Sequence, residues 1–421
     1  MFPHAMTFGR CSGFLDPGEP TLQVHPRKVW GVSVIPGGER VPYVSSMTSP
    51  NEPAGLLEMA VDATPASRDR FVDFARALSI AVVVAWHTVF SLTQWRNGTV
   101  VMPNPIDSIP FGGLATWLLQ IMPVFFIVGG FTSYRGVATK APGQFLRERL
   151  QRLARPVLGF AGVIVCLEAG LRLVGGPGFL EMGHLVLVPL WFLGFYAICI
   201  AAAPITVRWH RRRPLTTIVT LAAVVAAGDL LRFAGGVPLA GYLTSAVVFI
   251  ICHQIGYFYA DGSLLAAGRR VWLGLTALGL VALALLTALG PYPTSMVATN
   301  ASRISNMSPA NLTIVALAVL QTGVLMLARE GVLRWLQRRR VWMAVVAINV
   351  YAMTIYLYHG LAYALLFAGA WEIGFRPRDP NLDWWMLRPV WAVLVLLAVG
   401  VAVRLFGRIE RPALNSAQSI R

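Results

Sequence analysis

Charge is scarce in this chain. Only 13% of its 421 residues are Asp, Glu, Lys or Arg, whereas an average soluble domain has roughly a quarter. Hydrophobic residues make up 56%, and mean hydropathy is +0.63. These values exclude an ordinary soluble globular protein and leave a polytopic membrane protein. Cysteine is also rare: Cys11, Cys166, Cys199 and Cys252 form no CxxC or other ligand spacing, and three of them lie in predicted helices. That pattern argues against a zinc site or a disulfide framework. Lys28 and Lys140 are the only lysines among 35 basic residues. The arginine bias points to a GC-rich bacterial genome with a complex envelope.

In place of charge the chain has ten apolar stretches, each about twenty residues long and sufficient to cross a bilayer. They run near 73–95, 112–134, 156–174, 185–205, 215–233, 238–260, 271–290, 311–329, 341–367 and 387–407. The fold they predict is all-α, with about ten transmembrane helices. Alternate loops collect the cations: Arg135 to Arg155 with Lys140, then Arg208 and Arg211 to Arg213, then Arg269 and Arg270, then Arg329 to Arg340. The opposite loops carry Arg96, Arg172, Arg232, Arg303, Arg376 and Arg378. By the positive-inside rule both termini are cytosolic, and the net charge of +16 is explained by topology and anionic headgroups without nucleic acid. Residues 1–66 are rich in Pro and Gly, hold no long apolar run and lack the features of a signal peptide, so a disordered tail is expected there, with Met47 or Met59 as alternative starts. A membrane domain over 67–412 and a short tail over 413–421 complete the division.

Within the first apolar stretch, FVDFARALSIAVVVAWHTVFSL, stand Arg76 and His87. Eleven residues is just over three helical turns, so both side chains share a face and lie roughly 16 Å apart along the axis. An ionisable residue near mid-bilayer is costly and marks a functional site. Further segments join this pair: PVFFIVGGFTSYRG and FLRERLQRLARP around the second helix, LWFLGFY in the fourth, NVYAMTIYLYHG in the ninth and RIERP at the end of the tenth. Together they resemble the acyltransferase-3 family of integral membrane O-acyltransferases over residues ~68–412. Arg76 and His87 match its arginine-to-histidine signature, Arg149 and Arg152 its cytosolic RxxR pair, and Glu410 with Pro412 its Glu-x-Pro ending. Gly129-Gly130 stands where the family often has Ser-Gly, and Arg155 where an apolar residue or proline is commoner.

The resemblance implies transfer of an acyl group, commonly acetyl, from a cytosolic acyl-coenzyme A to a hydroxyl of a sugar, glycolipid or other envelope acceptor in the cell membrane. No permanently bound cofactor and no metal are expected. A hydroxyl is a poor nucleophile at neutral pH, so a positioned base must take its proton, and His87 in its neutral form suits that role; acyl relay through its ring is the alternative. Arg76 suits the donor's phosphates or the thioester carbonyl, or else snorkels to the interface. Arg149 and Arg152, three apart, can clamp the donor pyrophosphate or simply mark an inside loop.

Glu410 ends the last helix, where the dipole disfavours an anion, so a cationic partner among the loop arginines is expected, either as part of the acyl-donor-binding set with Arg149 and Arg152 or only to fasten the final helix. His359 and Trp191 are candidate cavity residues, with Tyr351, Tyr356 and Tyr358 beside them. His253 cannot pair with the adjacent Cys252, because neighbours on a helix point about 100° apart, and is assigned to packing. Glu168 with Arg172, and Asp229 with Arg232, are spaced to pair along their helices. The competing reading is a transporter or flippase, which paired interrupted helices would favour; the apolar stretches show none.

Overall fold

The computed structural model describes residues 67–410 apart from 93, 97–98, 102–103, 177–183, 300–303 and 376–380, together with Glu58 and residues 61, 62, 64 and 65. The expected tail over 1–66 lies outside the described residues except for those five, as do Pro412 and the segment 413–421. Near the start of the described chain, Val61 packs beside Trp342 and Val345, and Asp62 lies 3.6 Å from Arg339.

Among the described residues, ten spans are long and apolar enough to cross a membrane. The first is α1, Arg70–Val89, opened by Asp69, whose carboxylate accepts from the N–H groups of Phe71 and Val72. It stops before the apolar stretch does: the chain turns after Phe90 and enters a two-stranded hairpin, Gln94–Arg96 with Thr99–Val101. The second span is not one helix. It divides into α2, Gly112–Leu119, and α3, Met122–Thr139, because Pro123 has no N–H to offer the Leu119 carbonyl. The third, α4, Pro142–Leu173, begins fourteen residues ahead of its apolar stretch, so the arginine-rich segment FLRERLQRLARP is its first half rather than a loop.

The chain continues through α5, Val188–Arg212; α6, Pro214–Phe233; α7, Pro238–Ala260; α8, Gly268–Leu289; and α9, Leu312–Trp335. The stretch 341–367 also departs from a single helix. It is broken at Tyr351 into α10, Arg339–Val350, and α11, Ala352–Glu372. The last span is α12, Arg388–Phe406, with a short 3-10 turn over Gly407–Ile409. Two of the apolar stretches, the second and the ninth, are therefore each divided between two helices.

Inner and outer helices differ as lipid requires. α8 and α12 expose Leu273, Leu278, Leu285, Leu394 and Leu397, whereas α3, α7 and α9 are buried along most of their length. The α3–α7 crossing is backbone against backbone. A methyl group on Gly130 would lie 1.9 Å from the His253 carbonyl, and one on Gly256 2.0 Å from that of Ile127. Small residues permit this approach, which is how membrane helices gain packing without a hydrophobic drive.

The loops that collect cations meet at one end of the bundle. Arg70 lies 4.8 Å over the Trp342 ring, Arg329 donates to the Tyr259 hydroxyl at 3.2 Å, that hydroxyl donates to Asp69 at 2.9 Å, and Arg211 lies 5.1 Å over Tyr134. Glu168 and Arg172 pair at 2.6 Å, as their spacing suggests. Asp229 and Arg232 do not. Asp229 instead accepts from the Tyr292 hydroxyl at 2.9 Å and the Leu312 N–H at 2.8 Å, while Arg232 reaches the Pro309 carbonyl at 3.5 Å and lies over Phe233. The first turn of α9 supplies a backbone donor that a buried carboxylate uses without ordering a long side chain.

Candidate active site

Helix α11 packs beside α1 and brings His359 to His87, with His87 Nδ1 2.8 Å from His359 Nε2. His359 Nδ1 lies 2.6 Å from the Tyr356 carbonyl oxygen. A carbonyl only accepts, so Nδ1 of His359 carries the proton and its Nε2 is the acceptor. His87 Nδ1–H must then donate to His359, and Nε2 of His87 keeps its lone pair. The tautomers are thus set by the carbonyl at the far end of the chain of two rings. His359 is fully buried, while His87 lines a cavity of about 110 Å³ with Trp86, Gln120, Trp191 and Tyr356. The Tyr356 hydroxyl is committed to the Pro189 carbonyl at 3.1 Å. Tyr358 stacks on Phe406 and Tyr351 packs against Gly407, so neither lines this cavity.

Arg76 stands on the same side of α1 as His87. It lies 3.7 Å from Asp73 and donates to the Asn349 side-chain oxygen at 3.4 Å; the Asn349 amide donates in turn to the Asp73 carbonyl at 2.8 Å. Asp73 also pairs with Arg68. Since Arg76 and His87 are roughly 16 Å apart along the helix, no single carbonyl can touch both. Arg149 and Arg152 line a second cavity of about 100 Å³, shared with Lys140, Glu148 and the ring of Phe145. Arg149 is fastened by a bond to the Thr132 carbonyl at 2.8 Å, Arg152 is exposed, and Lys140 pairs with Glu148.

Residues 69–406 match the acyltransferase domain family, acyltransferase-3. The chain belongs to that family. No curated protein and no solved structure matches it. It is a multi-pass membrane acyltransferase that transfers a group other than aminoacyl.

One expectation for this acyltransferase needs correction. Glu410 has no cationic partner among the described residues: one carboxyl oxygen accepts the Thr354 N–H at 3.0 Å and the other is buried without a partner. The first turn of α11 offers unused N–H groups after the Tyr351 break, and the helix dipole there favours an anion. Glu410 therefore caps α11 and is absent from the lining of the Arg149 cavity.

Burial pushes its carboxyl up to about 7, against the lowering effect of the Thr354 hydroxyl and the backbone N–H groups of Met353 and Thr354. The folded state thus holds this proton more tightly than the unfolded chain. Its contribution to stability is complete below the ordinary value of 4.5 and is lost as pH rises through about 7. The detergent-solubilised protein is expected to melt lower at about pH 8 than at about pH 5 on this account, with the difference reduced in Glu410→Gln. An unchanged pH difference in Glu410→Gln would remove Glu410 as its source.

His253 packs as expected, with Nδ1 3.2 Å from the Tyr257 hydroxyl and the backbone of α3 against it. The residues missed by sequence reasoning are Asn349, Arg388, Gln120 and Gln321. Arg388 is buried between the rings of Trp384 and Trp391, at 3.8 and 5.8 Å, and donates to the carbonyls of Thr88 and Ser91 beside His87. A lone polar residue in an apolar run was the available signal for each, and it does not say which partner the residue meets.

Proposed function

We propose that this acyltransferase moves an acetyl group from cytosolic acetyl-coenzyme A to a hydroxyl of a sugar or glycolipid of the cell envelope, in the plasma membrane with both termini cytosolic. The observation that carries the reading is the chain Tyr356 carbonyl, His359, His87, which leaves a basic nitrogen at a mostly apolar cavity. His87 Nε2 takes the acceptor hydroxyl proton as its oxygen adds to the thioester carbonyl carbon. When the tetrahedral adduct collapses and the carbon–sulfur bond breaks, the same nitrogen returns the proton to the leaving thiolate. The histidine is restored, and the products are an ester and a free thiol. His359 takes no proton in this scheme; it holds the ring and supports the positive charge that His87 gains.

The cavity of Arg149, Arg152 and Lys140 has the charge for the donor's phosphates, and arginine forks suit bidentate contact with phosphate. The position of Arg76 along α1, at the same end as the cation-rich loops, supports a role toward the donor, and its separation from His87 suits a long flexible arm between phosphate and thioester. The test is transfer of label from radiolabelled acetyl-coenzyme A in membranes containing the protein, followed into lipid and glycan fractions and compared with membranes lacking it. Label that depends on the protein supports the reading and identifies the acceptor fraction. Equal label in both membranes counts against it.

A further inference from the structure

We infer that Gln120 is the oxyanion donor of this site: its side-chain amide hydrogen-bonds to the thioester carbonyl oxygen as that oxygen gains charge. The inference rests on the acyl-transfer reading and adds a residue to it. Gln120 closes α2 at the break before α3. The break leaves carbonyls without helical partners, and α9 supplies one: the buried Gln321 amide donates to the carbonyls of Gln120 at 2.9 Å and Trp117 at 3.3 Å. The backbone at the break is therefore held in place by a side chain from another helix.

The side chain of Gln120 is oriented by the other half of the break. Its oxygen faces the Met122 N–H at 3.4 Å, and because that group only donates, the amide oxygen must be the atom there. The NH₂ end is left over and has no partner among the described residues, in a residue that lines the same cavity as His87. Most of the remaining wall is hydrocarbon, from Val83, Leu119, Met122 and Met307. A base and a residue with a free amide donor thus line one small, mostly apolar cavity, where dipoles act strongly.

Addition of the acceptor oxygen to the carbonyl carbon pushes the carbonyl π pair onto its oxygen. The Gln120 NH₂ donates a hydrogen bond to that oxygen and keeps its proton; the pair returns when the carbon–sulfur bond breaks. Loss of one such donor lowers kcat by ~10²–10³-fold, because the bond strengthens only as charge develops.

Two variants test this. Gln120→Met removes the donor with little change of shape, and Gln120→Glu keeps an acceptor for Met122 while removing the NH₂. Both are expected to lower kcat on the order of 10²-fold, with the KM for acetyl-coenzyme A little changed. A second readout avoids turnover: in His87→Ala protein, the carbonyl stretch of bound acetyl-coenzyme A labelled with carbon-13 should lie below its solution frequency, and should rise when Gln120→Met is added. Full kcat in both Gln120 variants overturns the assignment and leaves acyl transfer standing. If wild type transfers nothing, the acyl-transfer reading falls, and the infrared comparison still decides Gln120: an identical frequency with and without the amide, or failure of the donor to bind, overturns it.

Discussion

Membranes carrying His87→Ala are expected to transfer acetyl label ~10²–10⁴-fold more slowly than wild type, the range associated with loss of a positioned general base. The protein should still fold. His87 is half-buried at a cavity wall, and its one hydrogen bond among the described residues is to His359. Deleting it leaves the buried His359 Nε2 without a donor, which costs about 1–3 kcal/mol against the folded state and does not touch the helix contacts. His87→Gln separates chemistry from support. Its amide can still donate to His359, but it has no nitrogen able to accept a proton, so it should be as inactive as alanine. Equal label from wild type and His87→Ala would remove His87 from the mechanism.

The second large effect belongs to His359. It is a positioning residue: it accepts from His87 Nδ1 and is itself fixed by the Tyr356 carbonyl. Without it, the His87 ring is free to rotate and to place its proton on either nitrogen, so only part of the population presents a basic Nε2 to the cavity. His359→Phe, which preserves a ring, is expected to lower kcat roughly 10- to 100-fold, equivalent to about 1.4–2.7 kcal/mol, with little change in KM for the donor. His359→Gln can accept through its side-chain oxygen and should recover part of the loss. The two histidines act as one unit, so adding His359→Phe to His87→Ala should cost little beyond His87→Ala alone. Wild-type kcat in His359→Phe, or losses that multiply in the double variant, would show that the pair does not work in series.

Much of this was legible along the chain. Arg76, His87 and His359 could be named because a polar or charged residue in an apolar stretch is conspicuous, whereas Arg149 and Arg152 were named through the resemblance to the family's RxxR pair and Trp191 as an aromatic beside the expected cavity. Contacts were harder. Glu410 was rightly seen as an anion in an unfavourable place at the end of its own helix, yet what satisfies it is the first turn of α11, which exists only because the chain breaks at Tyr351. Asp229 was matched with the nearest arginine in sequence, whereas its partners are Tyr292 and Leu312, 63 and 83 residues away. The break at Gln120 had a signal in Pro123, but an apolar run carries on through a break without any change in composition.

The ten spans and the membrane setting were determined by the sequence itself, since a bilayer sets a minimum length of apolar chain and every uninterrupted run of that length stands out. The arginine-to-histidine spacing on α1 likewise follows from helical geometry and needs no tertiary contact. Only the folded bundle decided which polar groups meet. His87 and His359 are 272 residues apart, and their contact depends on α11 packing beside α1. The reason is physical: helix formation in lipid is local, satisfied by backbone bonds within each span, while the pairing of buried side chains depends on which helices lie side by side, and hydropathy carries no record of that.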